Sequence, residues 1–487
     1  MAASHTVPAD GPPPALVTLG EAASAGALTK KADGSPYIYD YMGTRRYNVS
    51  QVDFSSPGGV AFYGSLLQAA VGAGYDGWME DFGEYGPPDA VYSDGTHGMV
   101  EHNPYVRQYH CAAYEKTRDH PGPVIRFVRS GYTGSAACSP VVWGGDPSTS
   151  WGFDGLLSSV RNGISMGLSG VGIWGSDIGG FFGITSPELS PELSARWVQF
   201  GAFSGVMRNE ADGYSISEEH RPQVIDPDQI DNWRRYSKIR TQLYPYISST
   251  AWQYRETGMP MMRAMLLDFP ADPKVASLDD QYMLGPDLLV APVVEPGQTS
   301  RSLYVPKGKW IDFWRTFSYD EASGAIDAGP AATLNGGGRK ILPAPADQIP
   351  LLVRAGAMIT ALPADVETLS DYGQENSSVV HLDDRDQRTL FAFPRGTSSD
   401  RFEKSGRISS VEGKGSWKLA ITDTEARPWR IKAATGAMKQ PFKVRCVKLN
   451  GKKLGAGTWQ TGEGQVEVNL PAGPKKLSLA FLNRDCP

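Results

Sequence analysis

Three carboxylates fall within five residues in the stretch Gly77-Trp78-Met79-Glu80-Asp81-Phe82-Gly83-Glu84-Tyr85, flanked by Trp, Phe and Tyr. An exposed surface has no need of the aromatics, and a core does not tolerate the acids unless each finds a partner. A helix end over Ser65–Ala73, a glycine stop at Gly72–Gly74 and a short apolar strand running into an acid precede and form this stretch. That order is the pattern of the C-terminal mouth of a (β/α)8 barrel strand. Taken alone, the stretch leaves two readings open: acids placed for catalysis, or an acidic loop solvated in a turn. The pattern recurs twice. Pro140-Val141-Val142-Trp143-Gly144-Gly145-Asp146 is again an apolar strand ending in Gly, an aromatic and an Asp, and so is Gly170-Val171-Gly172-Ile173-Trp174-Gly175-Ser176-Asp177-Ile178-Gly179-Gly180-Phe181.

In this order and spacing the three motifs resemble those of glycoside hydrolase family 31, the retaining α-glycosidases, over about Tyr37 to Ile359. The resemblance implies that Trp78, Asp81 and Glu84 match a nucleophile segment on barrel strand four, with Asp81 the nucleophile. Trp143, Gly145 and Asp146 match the acid/base segment, and Asp177 matches a sugar-binding Asp. Arg129, at the end of the strand before Asp146, matches an Arg that pairs with a carboxylate and donates to sugar hydroxyls; an ordinary ion pair at the barrel rim is its alternative. Glu84, Trp143, Trp174 and Phe181 complete the expected substrate contacts. Where many members carry a His after an Arg-Asn segment, this chain has Glu210, which takes that place in the candidate set. Retaining cleavage would set the two carboxyl groups about 5–5.5 Å apart, with Asp81 attacking and Asp146 giving the proton from an apolar setting beside Trp143. The chemistry needs no metal and no organic cofactor.

The expected substrate is an α-glucoside or related α-glycoside. The Trp-Met-x-Asp-Phe-Gly-Glu-Tyr form also resembles the sulfoquinovosidase branch, although that branch has Tyr where this chain has Phe181; an α-xyloside is a further alternative. Family members carry an N-terminal β-sandwich and three barrel strands before the nucleophile, and here only 80 residues precede Asp81. The expectation is therefore an N-terminally truncated, incomplete barrel whose open edge leaves the chain poorly soluble, oligomeric or weakly active. A non-catalytic remnant or sugar-binding subunit is the rival reading.

At 487 residues the chain suggests two to four domains. A net charge of −6 without a dense Lys/Arg run argues against a nucleic-acid binder. The 12 Trp and 21 Tyr suit stacking on sugars, though aromatics more often fill cores. Cys111, Cys138, Cys446 and Cys486 lie far apart, so reduced, isolated thiols are expected. No apolar run approaches membrane-spanning length, and Met1–Pro14 lacks a secretory pattern; the expectation is a cytoplasmic protein with a carbohydrate substrate, no nucleic-acid or membrane partner, and room for a homo-oligomer. Gly170-x-Gly172-x-x-Gly175 imitates a dinucleotide fingerprint without the helix that would receive a pyrophosphate. Gly163-x-Ser165-x-Gly167 imitates a nucleophile elbow but falls inside an amphipathic helix. His97, His102 and His110 share no helical face and read as surface or hydrogen-bonding residues. Arg234, Arg235, Lys238 and Arg240 read as a solvated face.

The expected fold class is α/β, a (β/α)8 TIM barrel with strands four to eight recognisable, followed by all-β C-terminal β-sandwich domains. Residues 1–35 read as a mobile arm, 36–257 as the barrel portion, 258–360 as a proximal β domain and 361–487 as a distal β-rich one. Within the barrel, helices are expected over Val60–Val71, His102–Thr117, Phe153–Leu168, Pro191–Phe203 and Asp228–Tyr254, with short β pieces from Tyr37 to Phe54. Asn450-Gly451 marks a hairpin.

Overall fold

The computed structural model describes residues 19–42, 46–181, 183, 187–209, 221–370, 378–455 and 457–486. It divides into two compact units, 1–143 and 144–487.

In the first unit a short helix α1 (Leu19–Ser24) is followed by a hairpin of β1 (Tyr39–Met42) and β2 (Arg46–Val49). Helix α2 (Pro57–Gly72) starts where Ser56 accepts the Gly58 N–H and Pro57 supplies a preset φ. Then come β3 (Gly77–Glu80), α3 (Gly98–Thr117), β4 (Ile125–Val128) and β5 (Val141–Trp143), with β3, β4 and β5 pairing in parallel. Phe54, Tyr63, Tyr92, Tyr105 and Tyr109 pack between the two long helices and the loops.

Two expectations fail here. Residues 19–35 are not a mobile arm: Ala22, Ala27 and Leu28 are buried with Leu19 and Phe62, and Leu28 bridges Val52. The small side chains that made this segment look like linker let it lie flush on α2. An added Cβ at Gly59 would fall on the Asp53 carbonyl, so the first turn of α2 needs glycine at this close approach. Cys111 and Cys138 are joined as a disulfide, with Cα atoms 4.9 Å apart. Sequence separation hid this, because α3 turns Cys111 toward the segment that follows β4.

The second unit opens on α4 (Leu156–Leu168), β6 (Ile173–Ile178), α5 (Pro191–Ala202) and β7 (Val206–Asn209), with β6 and β7 parallel. The single long helix expected over Asp228–Tyr254 is two, α6 (Ile230–Gln242) and α7 (Tyr244–Thr257). Pro245 has no N–H for the ladder and crowds the preceding turn, so the chain restarts at Leu243. Arg240, expected in a solvated face, instead donates to the carbonyls of Ala202, Ser204 and Gly205, closing the end of α5.

From Met262 onward, apart from short helical turns, the unit is β. A six-stranded sheet runs in the order 333–335, 309–312, 351–354, 288–290, 282–284, 262–264. Beyond it a five-stranded sheet and a six-stranded sheet share one core containing Ile408, Trp417, Leu419, Ile431, Val468 and Phe481. Met358–Ala361 already pairs with Arg388–Ala392 in the five-stranded sheet. The Asn450-Gly451 hairpin forms as expected, with both residues at positive φ. Cys446 and Cys486 form a second disulfide, again against the expectation of free thiols.

Candidate active site

Side chains alternate across a strand, and that alternation sorts the three acids of β3 and its exit. Trp78 and Glu80 face the helices. Glu80 is 0% exposed. It receives His110 Nδ1 of α3 at 2.7 Å and the Trp78 indole N–H at 3.3 Å, with Arg126 at 3.8 Å. A carboxylate buried this way is spent on structure. Asp81, one residue on, turns to the opposite face and keeps 19% of its side chain accessible. Arg129 leaves β4 on that same face. Its Nε lies 3.2 Å from Asp81 Oδ1 and 2.9 Å from Glu84 Oε1, and its Nη2 lies 2.7 Å from Glu84. The guanidinium also sits over the Phe82 ring at 4.6 Å and donates to the Tyr85 hydroxyl at 3.3 Å. Trp143 shares this face and stacks on Phe127 with ring centroids 4.6 Å apart.

The backbone carrying Asp81 is held in a shape few residues adopt. Phe82 has φ +61° and Gly83 φ +101°. Phe82 N–H donates to Asp81 Oδ1 at 2.9 Å, Ser130 Oγ donates to the Phe82 carbonyl at 2.6 Å, and Tyr109 donates to the Asp81 carbonyl at 3.3 Å. His110 reaches the Ser130 carbonyl at 3.1 Å through its second ring nitrogen. A chain of contacts therefore runs from buried Glu80 through His110 and Ser130 to the loop after Asp81. The expectation of hydrogen-bonding histidines holds for His110, which is fully buried.

In the second unit, β6 applies the same parity. Trp174 and Ser176 face the helices: Trp197 of α5 donates to Ser176 at 2.9 Å, and the Trp174 indole lies where a Cβ at Gly163 of α4 would sit. Trp174 lies on the helix side of β6, opposite Asp177, so its expected place on a sugar face is corrected to the core between α4 and α5. Asp177 points the other way, is fully buried, and pairs with Arg208, its register partner on β7. Asp146 is half-buried at the exit of the preceding strand. The loop after it is locked to the Gly179–Phe181 turn, because Phe181 N–H donates to the Pro147 carbonyl at 2.6 Å. Any Cβ at Gly180 would meet the Ser148 carbonyl at 2.7 Å. Arg221 donates to the carbonyls of Gly179, Gly180 and Phe181.

Arg208 and Arg221 are absent from the sequence-derived candidates. Arg208 opens the Arg-Asn segment before Glu210, but its pairing with Asp177 becomes visible only once β6 and β7 are paired, and no signal near Arg221 marks it. Glu210 lies outside the described residues. The two imitation motifs are explained by packing: Ser165 is exposed mid-helix, Gly163 and Gly167 clear room for Trp174 and Met262, and a Cβ at Gly172 would strike the Tyr254 ring. No group of three or more His, Cys, Asp or Glu among the described residues is placed to hold a metal, and no helix among them is long and apolar enough to cross a membrane.

A family model described as the TIM-barrel domain of glycosyl hydrolases family 31 matches residues 8–250, and one described as that family's C-terminal domain matches 258–359. A sulfoquinovosidase of Escherichia coli (strain K12) is 31% identical over 358 residues, covering 72% of this chain and 49% of the relative. A cycloalternan-forming enzyme from Listeria monocytogenes, solved with a pentasaccharide substrate, superposes with a TM-score of 0.78 at 25% identity, covering 95% of this chain and 43% of that one. A cycloalternan-degrading enzyme from Trueperella pyogenes, solved with a covalent intermediate, gives 0.60 at 30% identity over 73% and 47%. The chain spans about half the length of the curated relatives it matches. Ordered acid motifs at the ends of parallel strands, a following all-β region and both family matches make this chain a member of glycoside hydrolase family 31.

Proposed function

We propose that the chain carries the chemistry of a retaining α-glycosidase acting on α-glucosides or related α-glycosides. The Asp81 carboxylate attacks the anomeric carbon while Asp146 gives its proton to the departing oxygen. Asp146 then takes a proton from water, and that water opens the glycosyl–Asp81 ester with a second inversion. Arg129 balances the charge of Asp81 and Glu84 and keeps the nucleophile oriented. Asp177, oriented by Arg208, receives sugar hydroxyls, and Trp143 and Phe181 bound the sugar on its apolar side.

The observation that carries this reading is the parity of β3, which commits Glu80 to a buried pair with His110 and leaves Asp81 on the Arg129 face. The covalent intermediate of the Trueperella pyogenes enzyme supports a two-step course by similarity. A panel of aryl α-glycosides, followed by NMR before mutarotation, tests it. The first product expected is the α-anomer; a β-anomer first would mean inversion, and no turnover on any member would favour a sugar-binding remnant. A sulfoquinovoside substrate is the second reading, favoured by the Trp78–Tyr85 motif and the similar sulfoquinovosidase.

A further inference from the structure

Residues 401–487 hold 17 Lys and Arg against 7 Asp and Glu, inside a chain whose formal net charge is −6. Much of that excess lies on one face. The six-stranded distal sheet runs in the order 397–402, 406–413, 416–422, 476–482, 446–449, 452–453. Its inner residues, among them Ile408, Trp417, Leu479 and Phe481, are buried in the sandwich core. The alternate residues face out and register in rows. Lys418 and Lys448 both flank Ala480, and Lys448 also faces Lys453. Arg407 faces Thr422, which faces Lys476. Between these two rows lie Ser409, Ala420 and Ser478. None of the strand positions in these three rows is Asp or Glu; at the end of the second row Arg401, which faces Arg407, is paired with Glu256 of α7, so Arg401 is left out of the set.

Lys448 and Lys453, directly opposite one another, cost stability. Guarding an exposed edge against pairing explains Lys452 and Lys453 on the short outer strand. It does not explain Arg407, Lys418 and Lys476, which sit on interior strands. The floor beneath the cations is made of small and hydroxyl side chains, among them Ser409, Ala420, Thr422, Ser478 and Ala480. It offers no aromatic platform for nucleobases and only Val411 as an exposed apolar group, too little to anchor a membrane surface. Long, flexible cationic side chains set in rows over small and hydroxyl side chains suit a chain polymer with regularly spaced anions.

We propose that this outer face of the distal sheet binds an acidic polysaccharide, its carboxylate or sulfate groups meeting Arg407, Lys418, Lys448, Lys453 and Lys476. Gel retardation of the full 487-residue chain by polygalacturonate, beside neutral dextran, tests this. Retardation by polygalacturonate alone, weakening as NaCl rises, is the expected result. The triple variant Lys418→Glu, Lys448→Glu, Lys476→Glu should lose at least about tenfold in affinity at ~0.1 M salt, where surface charge pairs are only partly screened. The corresponding Gln triple, less demanding on folding, should lose a smaller but measurable part. Absence of retardation, a Gln triple that binds like the parent, or equal capture by phosphatidylglycerol vesicles or duplex DNA at matched charge would overturn the proposal. Asp81→Asn should bind polygalacturonate like the parent, so this test stands whether or not the glycosidase reading does.

Discussion

Glu80 and Asp81 are adjacent acids in the same motif, and one step of strand alternation sends them into opposite environments. The motif made both legible, together with Glu84, as carboxylates needing partners. It did not say which was spent on structure, because the partner of Glu80 is His110, thirty residues on and on another element. Arg129 was legible by its place at a strand end, and the structure brings it to Asp81 and Glu84. Trp174 was misread for a related reason: an aromatic beside a sugar-binding Asp invites stacking, yet it sits three residues before Asp177 and so faces the helices. For Asp146, the expected consequence of general-acid chemistry is a dependence on the leaving group. Asp146→Ala should cost on the order of 10²–10⁴-fold on alkyl or sugar leaving groups. It should cost far less on nitrophenyl glycosides, whose leaving oxygen needs no proton. Equal losses on both would remove Asp146 from that role.

At the scale of elements, the exit of β3 is held by α3 and by the loop after β4, and two predictions follow from how charged groups are buried. His110→Ala strips Glu80 of its main partner and loosens the Ser130 contact that fixes Phe82. Breaking such a buried pair costs about 3–5 kcal/mol, and a displaced nucleophile on the order of 10²-fold in kcat, with little change in KM. Pairing His110→Gln with Glu80→Gln, which keeps a neutral hydrogen bond, should recover most of the Tm. A Tm loss with kcat intact would reduce His110 to a structural residue. The second prediction concerns Asp400 in the distal β region. Burial raises its carboxyl from 3.8 to about 6, with Arg354 and Arg263 opposing the shift; Asp287, also pushed up by burial and by the charges of Asp400 and Asp268, faces it. A carboxyl raised on folding adds stability at low pH, and that contribution is lost as pH rises from about 3.8 through about 6. Asp400→Asn should therefore raise Tm more at pH 7.5 than at pH 4.5. A shift that is the same at both would mean Asp400 titrates normally.

For the molecule as a whole, the alternation of strands and helices up to Thr257 and the change to β texture after Gly258 were readable from periodicity and turn residues. What could not be read depends on contacts between distant segments. Both disulfides, the packing of Leu19–Ser24 onto α2 and the role of Arg221 are of this kind. The break between α6 and α7 is different, since Pro245 announced it locally and a continuous apolar face concealed it. If this fold delivers Asp81, and neither neighbouring acid, as the nucleophile, a mechanism-based label must find it. Treating the full chain with an α-configured cyclophellitol aziridine and mapping the covalent adduct by peptide mass spectrometry supplies that label. A single adduct is expected on Asp81, lost in Asp81→Asn and retained in Glu84→Gln. An adduct on Glu80 or Glu84, or none on a folded chain, would contradict it.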